Sequence, residues 1–193
     1  MSVDRTQARR GARLAIKRAL LEGLEAELEA QSAANAGDRE ASPGMPSLAG
    51  LPALVMPTSI ELAPQGALSY WTENLPGIRI VALSGSSVDM HAIDTAGLAA
   101  WQIGIYVQVD NRLDLPAYQL SVGEVTELLI ESYMDAMRIA LQALKTGAYD
   151  RYGVHAVTYV TDRVLVVQAD HADQPTRLIG EQIWSVEQTV RSV

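Results

Sequence analysis

The sequence predicts an α+β fold, a mostly antiparallel sheet packed by two long helices with an extended arm, and three stretches predict it. The first is Trp101–Asp110, WQIGIYVQVD. Trp101, Ile103, Ile105, Val107 and Val109 fall on one side, and Gln102, Gly104, Tyr106, Gln108 and Asp110 on the other. Strict alternation describes a strand with one face packed and one face wet, as in antiparallel sheets rather than parallel ones covered on both sides. The second stretch is Ser121–Thr146, where Ser121 and Glu124 form a capping box that would satisfy two orphan backbone donors. Val125, Leu128, Leu129, Ser132, Ala136, Ile139 and Ala140 then recur at helical spacing, and Gly147 stands where a left-handed C-terminal cap belongs. This helix, about seven turns at ~3.6 residues each, is expected to lie across the apolar face of the Trp101 strand. The third is Thr6–Ala30, where Leu14, Leu21, Leu24 and Leu28 form a stripe that Ile16 and Leu20 widen.

Taken in order, residues 1–30 read as a helix packing on the sheet. Its charges oppose the helix dipole, with arginines in the N-terminal half and Glu22, Glu25, Glu27 and Glu29 in the C-terminal half. Such a helix depends on packing, or on negative charge supplied to its first turns by a neighbour. Residues 31–57, QSAANAGDREASPGMPSLAGLPALVMP, lose the stripe and read as an extended arm or linker. The apolar content of Met45, Leu48, Leu51, Leu54, Val55 and Met56 favours an arm that orders against another subunit. Residues 58–193 form the core of the same single domain. Ser59–Leu62 reads as a short strand and Gly77–Leu83 as a longer one. Beyond Gly147 the chain turns to β structure. Val154–Val160 and Arg163–Gln168 flank Thr161-Asp162 as a hairpin, or as one long bent strand. In Leu178–Val193 the alternation is imperfect, with Trp184, Val186 and Val190 on one face and Ile179 and Ile183 on the other. That pattern predicts a bulge or incomplete one-sided burial. Trp101, Ile103, Ile105, Val107, Leu128 and Trp184 are the expected core anchors.

At 193 residues the chain can bury a real core. It has no cysteine, which excludes disulfides, thiolate metal sites and a cysteine nucleophile. It also lacks phenylalanine, so three Trp and seven Tyr are its only large aromatic anchors. Nothing approaches the roughly 18 apolar residues of a membrane span, and the basic N-terminus lacks the apolar run of a signal peptide, so a soluble product with no membrane partner is expected. The net charge of −8 is unevenly divided, because residues 1–18 hold Arg5, Arg9, Arg10, Arg13, Lys17 and Arg18 against Asp4, a balance of +5 that leaves −13 elsewhere. An acidic body of that kind argues against tight duplex binding.

No catalytic group, metal site or cofactor site is expected. Asp89, His91 and Asp94 share one loop without a fixed scaffold or a fourth ligand. Asp170, His171 and Asp173 read as a solvated turn, and His155 as a strand residue. Ser84-Gly85-Ser86-Ser87 lacks the Lys-Ser/Thr ending of a phosphate loop, and there is no G-x-S-x-G, H-E-x-x-H or G-x-G-x-x-G. The chain therefore reads as non-enzymatic.

The strand WQIGIYVQVD ahead of the Ser121–Thr146 helix, together with the terminal strand RLIGEQIWSVEQTVRS, resembles the tail terminator proteins of long-tailed bacteriophages, within the wider group of neck and tail-completion proteins. The likeness covers Ile78–Val193 and rests on element order and strand texture; residues 31–57 lie outside the shared pattern. It implies a homohexameric ring that caps the tail tube, joins it to the head-side connector or stopper and lets DNA pass through its lumen without specific binding, with localisation in the virion. The acidic body suits that role, since like charge keeps a polyanion from sticking. On this reading Arg5, Arg9, Arg10 and Arg13 meet acidic surface on an adjacent subunit or head-side partner, and Met45, Leu48 and Leu51 lie along a neighbour. Gln102, Tyr106 and Gln108 then offer a wet face to the ring. The alternatives are another neck protein (stopper, adaptor or tail-completion protein), or a small ligand-binding domain or enzyme.

Overall fold

The computed structural model describes residues 5–37, 47–64, 74–85, 96–142, 153–167 and 177–191. Two helices lie on one face of a five-stranded sheet: α1 (Arg5–Gly37), β1 (Ser59–Ala63), β2 (Gly77–Gly85), β3 (Ala96–Gln108), α2 (Val122–Gln142), β4 (Val154–Val167) and β5 (Arg177–Arg191). The strand order is β1-β2-β3-β5-β4. β1 pairs with β2 in parallel, and every other pairing is antiparallel. The fold is therefore α+β with a mixed, mostly antiparallel sheet. β3, α2 and β4 form a β-α-β crossover that β5 splits by inserting between its two strands.

α1 is longer than its leucine stripe predicts. It continues past Ala30 to Gly37 because the polar residues there find partners. Gln31 Nε2 donates to Asn35 Oδ1 at 3.3 Å, one turn on, and Asn35 Nδ2 donates to Ser132 Oγ of α2 at 3.1 Å in a buried position. The two helices run antiparallel. α1 carries no acid in its first turn and no base in its last, so its stability comes from burial of Ala12, Ile16, Leu20, Leu24 and Leu28 rather than from its dipole.

The described part of the stretch read as an arm beyond α1, residues 47–57, lies against its own chain. Its 3-10 turn Leu48–Gly50 is capped by Ser47. Leu54 is buried, and Leu51 and Met56 pack on the core. Ser32 Oγ accepts from the Leu54 N–H at 2.9 Å, while Tyr133 OH donates to the Val55 carbonyl at 2.7 Å and accepts from the Val55 N–H at 3.1 Å. Leu51 thus packs, partly buried, on the core of its own chain. The segment shields the helix pair, which is why a solvated linker would not carry these side chains. Leu48 is half-buried there, and Met45 lies outside the described residues.

At the start of α2 the capping box forms as predicted. Ser121 N–H donates to Glu124 Oε2 at 2.8 Å, and Glu124 N–H to Ser121 Oγ at 3.4 Å. Ser121→Ala removes an acceptor for a helix N–H and is expected to lower the melting temperature by about 2–4 °C, measured by thermal circular dichroism. The buried face of α2 is wider than its predicted stripe and adds Ile130, Tyr133, Met134, Met137 and Leu141. The helix packs on the sheet with one side and on α1 with another, so two faces are covered; Ile139, read as part of the stripe, is 45% exposed.

The core sits between helices and sheet. Trp101, Ile103, Ile105, Val107 and Trp184 are buried in one cluster, and Leu128 packs against it. The segment Val154–Val167 is one strand, not a hairpin: Thr161-Asp162 continues the pairing with β5 after register shifts at Val154/Ala156 and Tyr159/Thr161. The imperfect alternation of the final strand has a different cause from a bulge, because β5 is the internal strand between β3 and β4 and is covered on both faces. Leu178, Trp184 and Val186 join the main core, while Ile179 joins a second cluster with Ala63, Val81 and Tyr106 on the opposite face. Helix α2 approaches most closely over Gly180, where a Cβ would lie 2.5 Å from Ile130 Cγ2, 2.8 Å from Val107 Cγ1 and 3.0 Å from Met134 Sδ. Next to it, Gln182 Nε2 donates to the Met134 carbonyl at 2.7 Å and Trp184 Nε1 donates to Gln182 Oε1 at 3.3 Å.

Candidate interaction surfaces

Three polar surfaces emerge. The first is the basic N-terminal half of α1, which the sheet holds by its ends. Arg13 Nη1 donates to the Ala63 carbonyl at the end of β1, at 3.1 Å. The Arg9 guanidinium lies over the Trp101 ring, 5.2 Å from its centroid, where the ring's negative face attracts it. Arg10 is exposed. Burial, then the like charges of Arg9 and Arg10, lower the Arg13 pKa. Arg9 Nε, Arg13 Nε and Trp101 Nε1 are buried with no hydrogen-bond acceptor among the described residues. This corner therefore gathers repelling cations, which favours an incoming negative charge.

The second surface lies across the sheet, where α2 covers β4. Glu127 and Glu131 are exposed on α2, with Asp135 half-buried between them and Arg138. Burial and then the charges of Glu127, Asp135 and Asp162 raise the Glu131 pKa. The cations nearby are few. Arg138 pairs with Asp135 at 2.7 Å and sits 5.9 Å from the centroid of the Tyr159 ring. Tyr159 in turn bonds Asp162, and burial followed by that bond raises its phenol pKa. This side of the molecule is acidic and, like the first, internally repulsive.

The third is a polar row on the sheet face away from the helices. The register sets Glu61 beside Arg79, Arg79 beside Tyr106, Tyr106 beside Glu181 and Glu181 beside Arg163, one residue from each of the five strands. Tyr106 OH donates to Glu181 Oε1 at 2.7 Å and Arg163 Nε to Glu181 Oε2 at 2.5 Å. The Glu181 side chain is only 6% exposed, against 62% for Arg163. The Tyr106 ring folds back over Gly104, where a Cβ would come within 2.7 Å of its Cε2. Only a glycine leaves room for that pose.

Burial, then the bond and charge of Glu181, hold the Tyr106 phenol far above its ordinary pKa of 10.0. In the unfolded chain the phenol ionises near pH 10, whereas in the folded chain it stays neutral. Its contribution is therefore complete below pH 10 and is lost as pH rises toward the folded value. Tyr106→Phe is expected to cost about 1.5–3 kcal/mol at pH 7, because a buried carboxylate loses a donor. It should also flatten the decline above pH 10; urea titrations at pH 7 and at alkaline pH check both.

These positions separate the residues expected from sequence to form an interface. Arg9 and Arg13 are engaged with their own sheet, Arg10 faces solvent, and Arg5 begins α1. Gln102 is exposed as expected. Tyr106 is 1% and Gln108 0% exposed, so neither offers surface. The correction has a physical reason: the second face of β3 carries its own apolar cluster around Tyr106 instead of lying open to water. Glu181, Arg163 and the acidic group on α2 and β4 were missed, because cross-strand register brings them together and no local motif signals it. Asp89, His91 and Asp94, and likewise Asp170, His171 and Asp173, lie outside the described residues. Among the described residues no group of three His, Asp or Glu is placed to hold a metal, and no helix is long and apolar enough to cross a membrane. No protein-family model matches this sequence, and no curated protein matches it either.

Proposed function

We propose that this chain is a structural virion protein, a tail terminator whose copies form a homohexameric ring that caps the tail tube and joins it to the head-side connector, with DNA passing through the lumen. The observation that carries the reading is the edge strand β4. It is 14 residues long and, among the described residues, pairs with β5 alone. Val160 and Val166 on it are 49% and 63% exposed. A long edge strand with exposed valines can accept the backbone of another chain. The α+β architecture agrees with the resemblance of Ile78–Val193 to that group, and the overall negative charge suits passage of DNA.

Electron microscopy of the purified protein, alone and mixed with isolated tail tubes, tests the reading. Rings seated on tube ends are the expected result. A particle that stays monomeric at every concentration and leaves the tubes uncapped would overturn it.

A further inference from the structure

On the helix side of the sheet the two edges carry opposite charge, and this limits how one copy can meet the next. The α1 arginines reach β1 at one edge, through the bond from Arg13 to Ala63. Glu127 and Glu131 stand on α2 with Asp162 of β4 facing them at the other edge. A two-fold contact through either edge would set like charge against like. A head-to-tail contact sets each patch against its opposite. It also relieves the repulsion among Arg9, Arg10 and Arg13 and that among Glu127, Glu131, Asp135 and Asp162.

We infer that the basic N-terminal half of α1 in one copy docks on the acidic face made by Glu127, Glu131 and Asp162 of a second copy of this chain, a heterologous contact that repeats around the ring. The inference rests on the ring reading above and names the surfaces that build it. Charge complementarity selects the partner, because wrong pairings juxtapose like charges and are penalised. The open edge of β4 lies beside the acidic patch, so the same approach brings the exposed Val160 within reach of the neighbour.

The test is a charge swap read by sedimentation velocity on the full chain. Glu127→Lys with Glu131→Lys, and separately Arg10→Glu with Arg13→Glu, are each expected to weaken self-association by about 100-fold. An equimolar mixture of the two variants restores it, because in an alternating array the intact α1 of one variant meets the intact acidic patch of the other, and the reversed α1 meets the reversed patch. Glu25→Lys with Glu29→Lys, exposed on α1, shifts the net charge as much as the α2 pair and should leave association unchanged. Arg10→Glu alone, at an exposed position, gives a partial loss even where Arg13→Glu disturbs the fold; circular dichroism confirms that each variant is folded. Rings that form undiminished in both reversed variants, or folded variants that fail to associate when mixed, would overturn this contact while leaving the ring intact. A wild-type chain that never associates removes the ring and the contact together.

Discussion

Gly180→Val is expected to destabilise the fold by about 3 kcal/mol, the upper end of what overpacking a dense core costs. The glycine lies in the internal strand directly under α2, and even a first carbon would come within 3.0 Å of Ile130, Val107 and Met134. Neither neighbour can move easily, since Ile130 is 0% exposed and Val107 is 0% exposed in the same core. Urea denaturation measures the loss. The mechanism is separable from a general loss of glycine flexibility, because Ile130→Ala opens space on the helix side. The double variant should then be more stable than the sum of the two single effects predicts. Strict additivity would show that the helix does not press on this site.

The second large effect belongs to Trp184, on the internal strand β5. It is 1% exposed, meets the Tyr159 ring edge-on with centroids 5.4 Å apart at 77°, and gives its indole proton to Gln182. Trp184→Ala should cost about 3–5 kcal/mol, through lost burial and the cavity left behind. Part of that cost is polar, because Gln182 Oε1 is buried and loses its donor. Trp184→Phe loses the donor and part of the ring volume but retains an aromatic ring in the site, so it should lose distinctly less. Equal losses in the two variants would assign the whole effect to the hydrogen bond.

The success of sequence reading here follows the range of the forces involved. The Trp101 strand and the capping box are local: alternation needs only neighbouring residues, and Ser121 reaches Glu124 across one turn. Both formed where expected. The failures are long-range. The end of α1 was misjudged because Asn35 is a poor helix former until Ser132, 97 residues away, accepts its hydrogen bond. The 31–57 stretch looked like an arm for the same reason, since the hydroxyl that pins Val55 belongs to Tyr133 on another helix. Thr161-Asp162 has turn composition, yet pairing with β5 carries the strand through it.

The candidate surfaces were legible in part. The arginines of α1 stood out as a run, but nothing local showed that Arg9 and Arg13 are fastened to the sheet while Arg10 faces outward. Tyr106 and Gln108 read as wet because alternation says which face a residue is on and nothing about what that face meets. Glu181, Arg163 and Tyr106 come from three strands whose order, β3-β5-β4, no local pattern encodes. Their convergence could be found only once the register was known.

The position of β5 has a consequence for biosynthesis. β5 lies between β3 and β4 in the sheet yet follows both in the sequence, so β3 and β4 emerge with no strand between them. At ~5–20 residues per second, the 15 residues of β5 add a wait of about 1–3 s. During that interval β3 and β4 each present an unpaired border, the kind of edge on which other chains can pair.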